Sequence, residues 1–197
     1  MKITFKLPFF FTCVFGLLVL MGCTASQNAG SGSGTAAQNQ PTHTTVYLVR
    51  HAEKAPSSGA MTDDPALSEA GKKRAQVLRE TLAAAPVSAI FATKYKRTQE
   101  TVQPLATLKN VPVQLYEAQD YAAFAQKIKA EQAGKTVVVA GHSNTVLPLM
   151  EALGGKKPLA EIADHQYDYL FTVTLREGQE PVVKVQQYGE PSTAPAK

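Results

Sequence analysis

Hydrophobic and polar positions divide the chain after residue 42 into alternating strands and helices. Strands are predicted where short apolar runs stand between polar stretches. These runs cover residues 44–49, 87–92, 111–115 and 136–140. Two later runs, 169–175 and 182–188, are separated by the sequence Glu-Gly-Gln-Glu, which predicts an antiparallel hairpin.

Between the strands, apolar residues recur at the spacing of amphipathic helices. Four helices are predicted, over approximately residues 67–85, 97–108, 121–134 and 145–153. Pro104 lies in the path of the second helix and is expected to kink it or to end it early.

This alternation predicts an α/β fold. We expect three layers, α/β/α, in which helices cover both faces of a mostly parallel sheet, with the antiparallel hairpin at the C-terminal end. The folded domain is expected to span residues 43–190. Residues 191–197 include two prolines and are expected to form a frayed tail.

Residues 1–22 have the arrangement of charged and apolar residues that is typical of an export signal. Lys2 and Lys6 precede an almost entirely apolar run that is short for a membrane span. The run ends in Gly22-Cys23, which resembles the bacterial lipobox, where cleavage before the cysteine leaves a lipidated N-terminus. The alternative is an uncleaved anchor in which Cys23 is incidental.

Residues 24–42 carry no large apolar side chain, which predicts a flexible tether between a lipidated Cys23 and the domain. We therefore expect a protein of the bacterial cell envelope that is anchored to a membrane through lipid and faces the periplasm or the cell surface. The other cysteine, Cys13, lies in the signal. The mature chain then has no pair of cysteines for an internal disulfide.

Charge gives no indication of a nucleic-acid partner. The chain has a formal net charge of +4, and removal of Lys2 and Lys6 with the signal leaves 18 basic against 16 acidic residues, or +2. The sequence also contains no basic cluster with interleaved aromatic residues. We expect a monomer that does not bind nucleic acid.

Basic and imidazole side chains follow three of the predicted strands. Arg50 and His51 follow the first, Arg97 the second and His142 the strand at 136–140. The carboxyl ends of parallel strands meet at one edge of a sheet, where ligands bind. Because guanidinium forks match phosphate oxygens, these side chains predict a phosphate pocket. A chance charged pair after a core strand is the alternative for the first two residues alone.

This ordered set resembles the histidine phosphatase superfamily, which has the phosphoglycerate mutase-like fold. The family's Arg-His-Gly signature is matched by Arg50-His51-Ala52. Its second arginine is matched by Arg97, and its second histidine, in a Gly-His-Ser setting, by His142. The resemblance covers approximately residues 43–188.

The sequence departs from the family pattern at two positions. Ala52 replaces the usual glycine, a small-for-small change that we expect to be tolerated. Ser57 stands where many members have an asparagine that contacts the phosphate, so this contact is expected to be a hydroxyl or to be missing.

The resemblance implies a phosphomonoesterase that needs no metal and no other cofactor. Neutral His51 would attack phosphorus and form a phosphohistidine, which water then hydrolyses. Arg50 and Arg97 would disfavour the protonated imidazole and offset charge on the phosphoryl oxygens. His142 would complete the phosphate pocket and is expected to be a catalytic residue with His51.

The leaving alkoxide needs a proton from a general acid. In many family members this acid is a carboxylate shortly after the third strand, where Glu117 stands with Asp120 close behind. The alternative for either residue is a helix-capping carboxylate, and we prefer Glu117 as the acid. Glu53 and Lys54 are expected at the rim of the pocket.

The predicted domain has no long insertion that could form a lid. In this respect it resembles the small phosphohistidine phosphatases and the periplasmic lipopolysaccharide heptose-phosphate phosphatases. The expected envelope location favours a small extracytoplasmic substrate such as a sugar phosphate. The alternatives are a phosphohistidine protein phosphatase and a non-catalytic lipoprotein that binds a phosphorylated ligand.

Overall fold

A six-stranded sheet forms the centre of the part of the chain that the computed structural model describes, residues 43–57 and 64–194. The strands are β1 (His43–Arg50), β2 (Val87–Ala92), β3 (Val113–Leu115), β4 (Thr136–Gly141), β5 (Tyr169–Arg176) and β6 (Val182–Gln187). Their order is β3-β2-β4-β1-β5-β6, in which the first four are parallel and the last two antiparallel.

Helices cover both faces of this sheet. They are α1 (Glu69–Thr81), α2 (Lys96–Lys109), α3 (Tyr121–Glu131) and α4 (Val146–Ala152). Side chains of α1 and α2 share one core with the sheet, and those of α3 and α4 share the other. The predicted three-layer α/β/α fold with a C-terminal hairpin is confirmed. Within the described ranges, none of the helices has the length and apolar character needed to cross a membrane.

The expectation that α2 could end early at Pro104 is wrong, because the helix continues to Lys109. Proline cannot donate a hydrogen bond to the preceding turn. The helix is held instead by its buried face, where Val102 and Leu105 are fully buried. It ends at Asn110, which adopts the left-handed conformation at φ 52°.

The register between β1 and β4 positions the site. Arg50 pairs with Gly141, and the backbone N–H of His51 donates to the carbonyl of Gly141 at 2.9 Å. The next residue after Gly141 is His142, so the two predicted histidines leave the sheet side by side.

The beginning of the predicted frayed tail is held against the domain. Ser192 Oγ accepts a hydrogen bond from the backbone N–H of Tyr167 at 2.8 Å, and the N–H of Ser192 donates to Asp168 at 3.1 Å. The predicted tail therefore begins too early in the sequence. Residues 195–197, like the predicted signal and tether at 1–42, lie outside the described residues.

Candidate active site

Three neighbouring parallel strands, β2, β4 and β1, end at the same edge of the sheet. A cavity of about 690 Å³ opens there. His51, Arg97, Glu117 and His142 are among the residues that line it. The structure thus brings together four of the residues that were predicted from the sequence.

The hydrogen bond of His51 defines its tautomer. Nδ1 lies 2.8 Å from the carbonyl oxygen of Ala52, which only accepts, so Nδ1 carries the proton and Nε2 keeps its lone pair. Burial, together with the charges of Arg50, His142 and Arg97, lowers the pKa of His51 to about 3, against the raising effect of the Ala52 hydrogen bond. The ring is therefore neutral near pH 7.

Arg50 lies buried next to His51 and is not among the residues that line the cavity. Its Nη1 donates to three backbone carbonyls at 2.8–3.1 Å, those of Ala163, Asp164 and Gln166. The ring of Tyr167 covers the guanidinium, with its centroid 4.3 Å from Cζ. Nε is buried without a hydrogen-bond partner among the described residues, so one donor of the guanidinium is unpaired.

Arg97 is held on two sides. Its Cζ lies 4.4 Å from the centroid of the Tyr95 ring, and Nη1 lies 3.5 Å from Asp64 Oδ1. Both carboxylate oxygens of Asp64 also accept from the N–H of Lys96, at 3.0 and 3.1 Å, at the start of α2. Asp64 was not predicted from the sequence, because it precedes α2 by a long interval and belongs to no predicted element.

His142 points to the same cavity from β4. Its ring centroid lies 5.4 Å from that of His51, and Nε2 lies 3.0 Å from Thr93 Oγ1. Burial, with the charges of Arg97 and Arg50, lowers the pKa of His142 to about 4. Both imidazoles are therefore neutral near pH 7.

Gly141 allows two polar side chains to approach the strand end before His142. A Cβ atom at this position would lie 2.9 Å from Thr145 Oγ1 and 3.0 Å from the Tyr116 hydroxyl. Thr145 Oγ1 accepts from the backbone N–H of His142 at 2.9 Å. Glycine is needed here because of this close approach rather than because of its backbone angles.

The two carboxylates after β3 have different surroundings. Glu117 is exposed and lines the cavity. Asp120 caps α3, where its side chain accepts from the N–H of Ala123 at 3.3 Å, and it does not line the cavity. Ser57 is exposed and is not among the lining residues, so its contact with phosphate stays a prediction.

Ala52 fits the position of the family's usual glycine. It is fully buried, and its N–H donates to Thr101 Oγ1 at 2.9 Å. Among the described non-glycine residues, positive φ occurs at Asn110 alone, so Ala52 has an ordinary backbone conformation. A methyl group is therefore compatible with this turn.

The cavity is lined by imidazole, guanidinium and hydroxyl groups and by the Glu117 carboxylate. Within the residues that the structure describes, no three His, Cys, Asp or Glu side chains are grouped so that they could hold a metal ion. The arrangement can bind an oxyanion through Arg97 and present Nε2 of His51 to its central atom.

The fold is shared with solved phosphatase structures. It is similar to the protein histidine phosphatase SixA in complex with tungstate, at 18% identity over 73% of this chain and 96% of that chain, with a TM-score of 0.59. A putative phosphohistidine phosphatase SixA from Agrobacterium tumefaciens has 21% identity over 77% and 99% of the chains, with a TM-score of 0.57. A mycobacterial glucosyl-3-phosphoglycerate phosphatase has 13% identity over 74% and 98%, with a TM-score of 0.54.

The sequence itself matches no curated protein. Residues 46–120 match the family model described as histidine phosphatase superfamily (branch 1). This stretch contains Arg50, His51, Arg97 and Glu117, and the fold brings His142 to the same cavity. Over residues 46–120 the chain is therefore similar to the histidine phosphatase superfamily, and its described part has the fold of solved phosphatases.

Proposed function

We propose that the protein is a phosphomonoesterase that acts through a phosphohistidine formed on His51. The observation that carries this proposal is the hydrogen bond from Nδ1 to the Ala52 carbonyl, because it leaves Nε2 as an unprotonated nucleophile. Arg97 in the cavity lining and the unpartnered Nε of Arg50 are suitable donors for phosphoryl oxygens.

The reaction has two steps. Nε2 of His51 attacks phosphorus, the bond from phosphorus to the leaving oxygen breaks, and this oxygen takes a proton from Glu117. The Glu117 carboxylate then accepts a proton from water as the water oxygen attacks phosphorus. The phosphorus–nitrogen bond breaks, which releases inorganic phosphate and restores neutral His51.

The substrate is proposed to be a small extracytoplasmic phosphomonoester such as a sugar phosphate. The cavity of about 690 Å³ has room beyond a phosphate group, and polar side chains such as Lys94, Gln119 and Asn144 line it, which suits a hydroxylated leaving group. The proposed envelope location rests on the export signal and Cys23, which lie outside the described residues.

A second candidate is a phosphohistidine protein phosphatase. It is favoured by the similarity of the fold to the protein histidine phosphatase SixA. A protein substrate would present its phosphoryl group to the cavity from outside, whereas a sugar phosphate would enter it. Activity on a panel that contains sugar phosphates and a phosphohistidine protein separates the two.

The test of the mechanism is rapid acid-free quenching of the purified full chain during turnover of a ³²P-labelled aryl phosphate. We expect an acid-labile label on His51. His51→Ala should lose both label and turnover, whereas His43→Ala, at the opposite end of the same strand, should keep both. Binding of phosphate without turnover of any ester would instead indicate a non-catalytic lipoprotein.

A further inference from the structure

A chain of hydroxyl groups lies behind His142. Thr98 Oγ1 lies 2.7 Å from the carbonyl oxygen of Tyr95, and Thr93 Oγ1 lies 2.8 Å from Thr98 Oγ1. Thr93 Oγ1 is in turn 3.0 Å from His142 Nε2. Thr93 and Thr98 are 2% and 0% exposed, so the other members of this chain are their main hydrogen-bond partners.

The protons of this chain can be assigned from one end. The carbonyl oxygens of Tyr95 and Thr93, at 2.7 and 3.1 Å from Thr98 Oγ1, only accept, so the single hydroxyl proton of Thr98 is donated to a carbonyl and not to the Thr93 hydroxyl. The contact between the two hydroxyls then requires Thr93 to donate to Thr98. Thr93 Oγ1 has only its lone pairs left for the imidazole, so Nε2 of His142 must be the donor.

We propose that Thr93 is a positioning residue that holds His142 as the Nε2–H tautomer, which leaves Nδ1 as the ring nitrogen available to the substrate. The inference rests on the proposed function, because it assigns a part to His142 in that reaction. Nδ1 has no hydrogen-bond partner within the described residues. Because it carries a lone pair, it pairs with a proton of a singly protonated phosphate group or of the attacking water.

The surroundings of the ring favour a single neutral form. The ring of His51 lies at 5.4 Å and that of Tyr95 at 5.3 Å, both in edge-on arrangements. Burial of the ring, with the charges of Arg97 and Arg50, opposes a second proton on it and lowers its pKa to about 4. Near pH 7 the tautomer is therefore decided by Thr93.

The test is the ¹⁵N spectrum of the histidine rings in the purified full chain at pH 7, with His142 assigned from its loss in His142→Asn. We expect a protonated Nε2 and an unprotonated Nδ1. Thr93→Val removes the acceptor at nearly constant volume and should shift the ring toward the Nδ1–H form. Thr93→Ser should keep the wild-type spectrum. Thr107→Val is the control, because the Thr107 hydroxyl donates to Gln103 on the exposed face of α2.

The same variants are then assayed on an aryl phosphate. Thr93→Val should lower kcat/KM about tenfold, the scale of one lost hydrogen bond, while Thr93→Ser and Thr107→Val should remain near the wild type. A wild-type spectrum with Nδ1–H, or a Thr93→Val ring that stays in the Nε2–H form, would overturn the proposal. The spectrum is recorded without substrate turnover. If the protein hydrolyses no ester, the proposed function is contradicted, but the spectrum still shows which tautomer His142 adopts.

Discussion

Both oxygens of the Glu53 carboxylate accept hydrogen bonds from the Arg74 guanidinium. Oε1 lies 2.7 Å from Nη2, and Oε2 lies 3.0 Å from Nε. The Arg74 side chain is only 4% exposed and also donates to the backbone carbonyls of Tyr188 and Glu190, each at 2.8 Å. Glu53 does not line the cavity, so its predicted place at the pocket rim is wrong. It instead ties the segment after His51 to α1 and to the C-terminal segment.

Glu53→Gln should therefore act on stability. It leaves the buried charge of Arg74 without its partner, which we expect to lower the free energy of unfolding by about 2–4 kcal/mol in chemical denaturation. The control is Glu69→Gln, which breaks the exposed pair with Lys72 and should cause no measurable change. Equal effects of the two substitutions would contradict the structural role of Glu53.

The two active-site histidines should make stability depend on pH. The pKa values of His51 and His142, about 3 and about 4, lie below the ordinary 6.5, so the unfolded chain binds more protons between pH 6.5 and pH 4. Stability is therefore lost as pH falls through this window, by on the order of 1 kcal/mol per pH unit for each histidine.

Unfolding free energies measured at several pH values check this expectation. His51→Gln should flatten the dependence between pH 6.5 and pH 4, because a glutamine does not titrate. His43→Gln, at the other end of β1, should keep the wild-type slope. If the slopes of the wild type and His51→Gln coincide, the pKa of His51 is not lowered in the folded protein.

A general acid at Glu117 predicts a dependence on the leaving group. Glu117→Gln should slow hydrolysis of an alkyl phosphate by about 100-fold or more, because the alkoxide needs a proton to depart. An aryl phosphate with an acidic leaving group should be affected much less. Asp120→Asn, which changes the cap of α3, should have little effect on either rate. The opposite pattern between the two variants would make Asp120 the acid.

Lipidation at Cys23 predicts where the mature protein is found. The expressed full-length chain should partition with membranes and carry lipid on Cys23, since several acyl chains anchor a protein stably. Cys23→Ser should give soluble or unprocessed protein, whereas Cys13→Ser should leave partition unchanged. Wild-type protein that is membrane-bound with an unmodified Cys23 would show an uncleaved anchor instead.

The parts of the site that lie at strand ends could be predicted from the sequence. Arg50, His51 and His142 each directly follow a buried apolar run, and parallel strands bring such positions together. The groups that hold these residues could not be predicted in this way. The carbonyls that bind Arg50 lie in the loop 163–166, more than 110 residues away, and backbone carbonyls have no sequence pattern.

Burial and proline explain why one predicted strand has the expected bounds and another is shorter. Residues 87–92 form a strand as predicted because their side chains are almost all buried. β3 is shorter than the predicted run 111–115 because it begins only after Pro112, which cannot donate a hydrogen bond to a neighbouring strand.

Ser192 should influence phosphate binding from a distance. Its Oγ accepts from the backbone of Tyr167, whose ring covers Arg50. Ser192→Ala should therefore raise the inhibition constant of inorganic phosphate about fivefold, on the scale of one hydrogen bond. Ser88→Ala removes a similar hydroxyl contact at the start of β2 and should leave the constant unchanged. If the inhibition constant does not change in Ser192→Ala, the loop holds Arg50 in position without this contact.

The contact between Ser192 and the loop also determines when the site can form during synthesis. Arg50 is made in the first strand, whereas Ser192, which braces its loop, is made only after all six strands of the sheet. Because a protein leaves the ribosome N-terminus first, β1 to β4 can pair before Ser192 exists. A nascent chain that has not yet reached Ser192 would carry His51 in place but lack the contact that braces the loop around Arg50, so full phosphate affinity is expected only after Ser192 has been made.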